Sequence, residues 1–99
     1  MDKTITILIA DDHPVVRRGL KSTIEEEESL KVVAEAADGN EAVAQLADKR
    51  PDVAVVDIDM PGKNGLAVAR EARSREIDTK IIFMTLHADE ELVRAAMEG

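Results

Sequence analysis

Four aspartates and one threonine stand where apolar runs end, and their spacing suggests one chemistry. Ile5 to Ala10 delivers Asp11 and Asp12; Val53 to Val56 delivers Asp57, followed by Asp59, Pro61 and Gly62; Ile81 to Met84 delivers Thr85. If the runs are parallel strands of one sheet, these groups emerge at the same edge, where open α/β sheets place their ligand sites. Carboxylates of Asp11, Asp12 and Asp57 brought within several Å repel one another and push a pKa upward unless a cation sits among them. Oxygen donors with positions left for water and substrate suit Mg²⁺. A metal beside Asp57 could hold a phosphoryl group there, with the Asp57 carboxylate as nucleophile and the Thr85 hydroxyl donating to a phosphoryl oxygen.

Each residue also has an ordinary role. Asp12 before His13 and Pro14 can serve only as a helix N-cap, and Asp57 or Thr85 alone reads as a loop acid or a strand end. It is the conjunction at three strand ends that favours a site. His13 and His87 are read as turn or surface residues, because no second His or Glu stands at metal spacing to either.

The positioning elements follow from periodicity. Lys3 to Ala10 is rich in β-branched residues and ends in a continuous apolar stretch, as in a strand covered on both faces. Pro14 suits a first helical turn, with Asp12 or His13 before it as cap. Val16, Leu20, Thr23 and Ile24 recur at helical spacing, and the run Glu25 to Glu28 closes that helix at a solvated end. Leu30 to Ala36 reads as a second strand. After Asp38, Gly39 and Asn40, a helix carries Ala42, Val43, Leu46 and Ala47 and stops before Pro51. Val53 to Val56 is a third, buried strand; Asn64 and Gly65 open a helix with Leu66, Val68, Ala69 and Ala72. Lys80 to Met84 is a fourth strand, and Asp89 to Glu98 a fourth helix with Leu92, Val93, Ala96 and Met97 inward. The alternation is that of right-handed parallel βαβ units.

Composition narrows the class. At 99 residues the chain is one domain, with a core made almost without aromatics, since Phe83 is the sole aromatic residue. It contains no cysteine, which excludes disulfides and thiolate metal sites. A formal net charge of −8 argues against nucleic acid binding by this segment. No apolar stretch nears the roughly 18 residues of a membrane span, and the N-terminus lacks a signal-peptide core, so a cytoplasmic chain without membrane association is expected.

The segments ILIADDHPVVRRGL, VAVVDIDMPGKNGL and IIFMTLHADEELVRAAMEG resemble the receiver domain of two-component response regulators, in the branch with a C-terminal helix-turn-helix output. The resemblance covers essentially residues 1–99. It implies a flavodoxin-like α/β fold, a parallel sheet of order 2-1-3-4 with helices on both faces, and a regulatory phosphoacceptor in place of a turnover enzyme. It further implies Asp57 as phosphoacceptor, Asp12 as a direct Mg²⁺ ligand, Asp11 as a nearby acid acting partly through water, the Asp59 backbone carbonyl as a further ligand, and Thr85 as switch hydroxyl. A histidine kinase would dock at the active-site end of the first helix, around Val15, Arg18 and Gly19, and DNA would be met only through an output domain.

The sequence departs from the family pattern after the fourth helix. The family's fifth strand, with a Lys that pairs with the phosphoryl group, and its fifth helix are not present; Lys63 and Lys80 do not match that position. The expectation is an incomplete receiver, either a fragment or a chain that pairs or swaps with a second copy along the Ile81 to Met84 edge. Two rival functions stay open. Asp57, Ile58 and Asp59 also resemble the Asp-x-Asp nucleophile motif of haloacid-dehalogenase-type phosphohydrolases, although Pro61 and the upstream Asp11 and Asp12 fit that pattern poorly. The missing Lys also allows a receiver-like interaction module that is never phosphorylated.

Overall fold

Strands of this chain are short aliphatic runs that alternate with helices of 10 or 11 residues, and the order in which they pair decides where the acids meet. The computed structural model describes residues 3–84. The elements are β1 (Ile5–Ala10), α1 (Pro14–Ile24), β2 (Leu30–Ala36), α2 (Gly39–Lys49), β3 (Val53–Asp57), α3 (Gly65–Ser74) and β4 (Lys80–Met84). The sheet order is β2-β1-β3-β4 and every pairing is parallel. That is the flavodoxin-like arrangement expected. The chain moves from β1 outward to β2 and then returns to the far side of β1, so β1 and β3 flank the point at which the winding reverses. A crevice opens there at the carboxyl ends of the strands, and Asp11 and Asp57 belong to those two strands' ends.

Alternation along the strands sends side chains to two unlike faces. Leu8 and Ala10 of β1 join Ala36 of β2 and Ala54 and Val56 of β3 in a buried core with Ala42, Val43 and Leu46 of α2, Val68 and Ala72 of α3, and Met60 and Ile77. Ile7 and Ile9 lie on the opposite face, also buried. There α1 offers Val16, Leu20 and Ile24, all half-buried, and none of its residues is fully buried. Arg17 and Lys21 of α1 pair instead with Glu35, 3.6 and 3.9 Å away, which stands between the core-facing Ala34 and Ala36. An irregularity between Ile7 and Leu8 lets β2 pass one extra residue, bringing Ala34 opposite Leu8 and Ala36 opposite Ala10.

Helix ends follow the local sequence. The Asp38 side chain accepts from Glu41 N–H at 2.7 Å, and Asn64 Oδ1 accepts from Ala67 N–H at 2.9 Å. Arg50, in the left-handed conformation with φ 43°, closes α2 before Pro51. β1 starts at Ile5, where backbone pairing to β2 begins and where the Ile5 to Ala10 run placed it. One boundary differs from expectation. α1 ends at Ile24, with Glu25 as its C-cap, so most of the acidic run lies in the turn after the helix. The expected fourth helix, Thr85 and His87 lie outside the described residues.

Candidate functional site

Each acid is held by backbone bonds that extend the sheet beyond its strand. Asp11 N–H donates to Ala36 O at 3.0 Å, prolonging the β1–β2 ladder by one residue and drawing the Asp11 side chain into the crevice, where it is fully buried. Its Oδ1 accepts from His13 N–H at 2.6 Å, a local turn that directs the chain into α1. One turn along, the Arg17 guanidinium donates to the Asp11 carbonyl at 2.5 Å. On the neighbouring strand, Ile58 N–H donates to Met84 O at 3.0 Å and Gly65 N–H to Ile58 O at 2.8 Å. Asp57, the last residue of β3 and immediately before Ile58, is 2% exposed, with Oδ1 accepting from Asp59 N–H at 3.1 Å.

Two glycines permit this packing. A Cβ on Gly65 would lie 2.6 Å from the Asp57 carbonyl oxygen, and one on Gly39 would lie 1.9 Å from the carbonyl oxygen of Lys63. Only residues without a side chain let α3 start against β3 and α2 start against the loop that follows Asp57.

Donor atoms of Asp11, Asp12, His13 and Asp57 all lie within 4.8 Å of one another. Burial pushes the Asp57 carboxyl above the ordinary aspartate range; the charges of Asp11, Asp12 and Asp59 add to this and the Asp59 N–H opposes it. His13 is raised by its hydrogen bond to the Asp11 side chain, with the charges of Asp12, Asp11 and Asp57 acting in the same direction. The neighbouring acids add to both shifts, behind burial at Asp57 and the hydrogen bond at His13. The nearby Lys63 ammonium is directed to Glu71, at 3.2 Å. Oδ2 of Asp11 is buried without a hydrogen-bond partner, a state that is costly for a carboxylate unless a cation compensates it. Clustered oxygen donors with an orphaned, buried member fit a hard divalent cation.

The structure thus brings Asp11, Asp12 and Asp57 together and places Asp59 exposed on the loop beside them. Asp12 does not cap α1: the N-cap is His13, whose side chain makes no capping bond. The residue that sequence reasoning missed is His13. Set aside as a turn residue, it carries its Nδ1 into the cluster, 2.8 Å from Asp11 Oδ1. The available signal was its place two residues after an acid at a strand end, where a turn closed on the acid's side chain folds the ring back.

A four-stranded parallel sheet wound about β1, with acids gathered at the β1–β3 crevice, defines the receiver class of flavodoxin-like domains. The family model described as the response regulator receiver domain matches residues 7–99, and the chain belongs to that family. It is 44% identical over 86 residues to the oxygen regulatory protein NreC of Staphylococcus epidermidis, covering 86% of this chain and 39% of that protein. It is 36% identical over 95 residues to the response regulator UvrY of Escherichia coli, covering 96% and 44%. The signal receiver domain of the putative response regulator NarL from Mycobacterium tuberculosis superposes with a TM-score of 0.92 at 33% identity, over 97% of this chain and 77% of that one. The chain therefore spans well under half the length of these curated relatives. They are named as regulators, which sets this chain among regulatory domains and apart from the phosphohydrolase alternative. Among the described residues, no helix is long and apolar enough to cross a membrane.

Proposed function

We propose that this chain accepts a phosphoryl group from the phosphohistidine of a histidine kinase onto Asp57 and relays the change to a surface near its fourth helix. The observation that carries this reading is the Asp57 carboxylate itself: buried, anchored through Oδ1, at the sheet's switch point and within reach of two further acids. A carboxylate oxygen attacks phosphorus, the bond from phosphorus to the donor imidazole breaks, and an acyl phosphate forms on Asp57. Anchoring by Asp59 N–H fixes the direction of approach, so that an in-line displacement needs little reorganisation. Asp11, Asp12 and Asp57, with the Asp59 carbonyl, would hold Mg²⁺, which when bound offsets the negative charge of the transferring group. Thr85 is assigned the hydroxyl that reads the phosphoryl oxygen.

The half-exposed face of α1 supports kinase docking at the site's rim. Val15 is 77% exposed beside the acids, with Arg18 and Gly19 also at the surface. β4 is the outer strand of the described sheet, and Ile82 is 47% exposed; a further strand, from the same chain or a second copy, would add at that edge. DNA binding belongs to an output domain in the same polypeptide, and the setting is cytoplasmic.

Incubation with Mg²⁺ and acetyl phosphate, read by intact-mass spectrometry, tests the reading. One phosphoryl group per chain on Asp57 is expected. Continuous release of free phosphate would point to a hydrolase, absence of any adduct to an interaction module, and an adduct on Asp59 or His13 would overturn the assignment.

A further inference from the structure

His13 supplies a nitrogen donor to a pocket that otherwise offers oxygen. Its Nδ1 lies 2.8 Å from Asp11 Oδ1 and 2.9 Å from Asp12 Oδ1. One ring nitrogen carries at most one proton, so it can satisfy one of these oxygens and leaves the other in contact without a bond. Asp12 Oδ1 is that other oxygen: it is buried and has no hydrogen-bond partner, like Oδ2 of Asp11. A single ion can satisfy what one proton cannot. Donors about 2.1 Å from an octahedral ion sit about 3.0 Å from their neighbours and about 4.2 Å from the opposite donor. The two separations at Nδ1 match neighbouring positions, and the whole set, Asp57 included, lies within 4.8 Å, so a contraction of a few tenths of an ångström brings all four donors onto one ion. The ring is half exposed, so an ion reaches it without opening the core. Its position is fixed from the backbone by the bond from His13 N–H to Asp11 Oδ1 and by Pro14 in the first turn of α1.

We propose that His13 Nδ1, with the carboxylates of Asp11 and Asp12, makes this pocket a site for a late first-row divalent cation such as Zn²⁺, in competition with Mg²⁺. The proposal rests on the reading of the acidic pocket as a cation site and names the second class of ion it takes. Imidazole favours Zn²⁺, Ni²⁺ and Cu²⁺, whereas Mg²⁺ is served by carboxylate, carbonyl and water. His13 therefore discriminates between the two classes while Asp11 and Asp12 serve both. A cation drawn toward His13 engages the same carboxylates that phosphorylation of Asp57 requires, so ions of this class inhibit labelling.

Calorimetric titration of the chain with Zn²⁺ and, separately, Mg²⁺ tests this in the wild type, His13→Asn, His87→Asn and Asp11→Asn. Asparagine is a good N-cap, so His13→Asn keeps the start of α1. The expected result is that His13→Asn weakens Zn²⁺ on the order of tenfold or more and leaves Mg²⁺ within about twofold, while His87→Asn changes neither. The His13 Nδ1 resonance also shifts on addition of one equivalent of Zn²⁺. Equal Zn²⁺ affinity in the wild type and His13→Asn overturns the proposal, and so does parallel loss of both ions, since the imidazole then discriminates nothing. If instead Mg²⁺ binding survives Asp11→Asn unchanged, the cation reading of the carboxylates fails, and the Zn²⁺ comparison still decides the part played by His13.

Discussion

Two aspartates bracket β3, and the sheet treats them in opposite ways. Asp52, at the amino end, is exposed; its Oδ2 accepts from Thr6 N–H at 2.9 Å and from Thr6 Oγ1 at 3.1 Å, while its own N–H donates to Thr6 Oγ1 at 3.0 Å. Those bonds, the backbone one foremost, hold its carboxyl below the ordinary range. Asp57, at the carboxyl end, is buried with other acids around it and is pushed above that range. At the amino edge the N–H and hydroxyl of Thr6 stabilise the Asp52 anion, and the acid ties β1 to β3. At the carboxyl edge the acids face one another, and the fold leaves their repulsion to be relieved by a ligand.

The sharpest way to break this contrast is to exchange the same atom at both ends. Asp57→Asn should abolish acyl-phosphate formation, whereas Asp52→Asn should leave labelling within about twofold, because only a carboxylate oxygen of sufficient nucleophilicity can attack phosphorus. Intact mass after acetyl phosphate treatment reads both. Residual labelling of Asp57→Asn at the wild-type level would place the phosphoacceptor elsewhere.

Next in size is the response to metal. Mg²⁺ binding only to the folded chain at a hundredfold excess over Kd stabilises it by about 2.7 kcal/mol. Thermal unfolding should show a raised midpoint in the wild type, no such rise in Asp11→Asn, and the full rise in Asp52→Asn. In the absence of metal, Asp11→Asn should be no less stable than the wild type, since it removes one of the repelling charges. A midpoint indifferent to saturating Mg²⁺ would end the idea of a shared cation site.

The two ends of β3 also differ in how far they could be read from sequence. Ile7 to Ala10 and Val53 to Val56 announced the two central strands because a parallel strand covered on both faces is apolar throughout, whereas Leu30 to Ala36 and Lys80 to Met84, the outer strands of the described sheet, showed themselves by β-branched runs despite Lys31, Glu35 and Lys80. Pro14, Asn64 and Gly65 announced helix starts. Asp11, Asp12 and Asp57 were legible as a group because each ends an apolar run, and parallel strands carry their ends to one edge. His13 was not, since its entry into the cluster depends on a turn closed by its own N–H on Asp11, and spacing alone does not show where a ring then lies. The extra residue in β2 was hidden for a similar reason: Val32, Val33 and Ala34 are all apolar, so no alternation marks the slip. The Thr6 and Asp52 clamp joins residues 46 apart, and neither belongs to a motif.

Glycine substitutions probe how tightly the Asp57 end is built. Gly65→Ala forces a Cβ against the Asp57 carbonyl and the Ile58 backbone, atoms that cannot move without displacing Asp57. The expected cost is about 1 to 3 kcal/mol, with a loss of labelling rate larger than the loss of stability predicts. Urea unfolding and labelling kinetics on the same sample separate the two. A variant that is destabilised yet labels at the wild-type rate when folded would show that the loop tolerates more play than this packing allows.

The smallest effect belongs to the Asp52 end, and it carries a sign. Its folded pKa lies below the ordinary aspartate value of about 3.9, so the folded chain favours the ionised form more than the unfolded chain does. The contribution of that charge is fully present above the ordinary value and is lost as pH falls through the depressed one. Asp52→Asn keeps a side-chain acceptor for Thr6 and removes the charge alone. The wild type should therefore be the more stable at pH 7, by a margin that persists to about pH 5 and begins to shrink as pH falls below the ordinary aspartate value. Exposure and screening keep the margin small, which makes the trend with pH the informative quantity. Urea midpoints of the two proteins at pH 7, 5 and 3 decide it: a difference that stays constant over that range would mean that the Thr6 clamp is indifferent to ionisation, and the contrast between the two ends of β3 would then rest on burial alone.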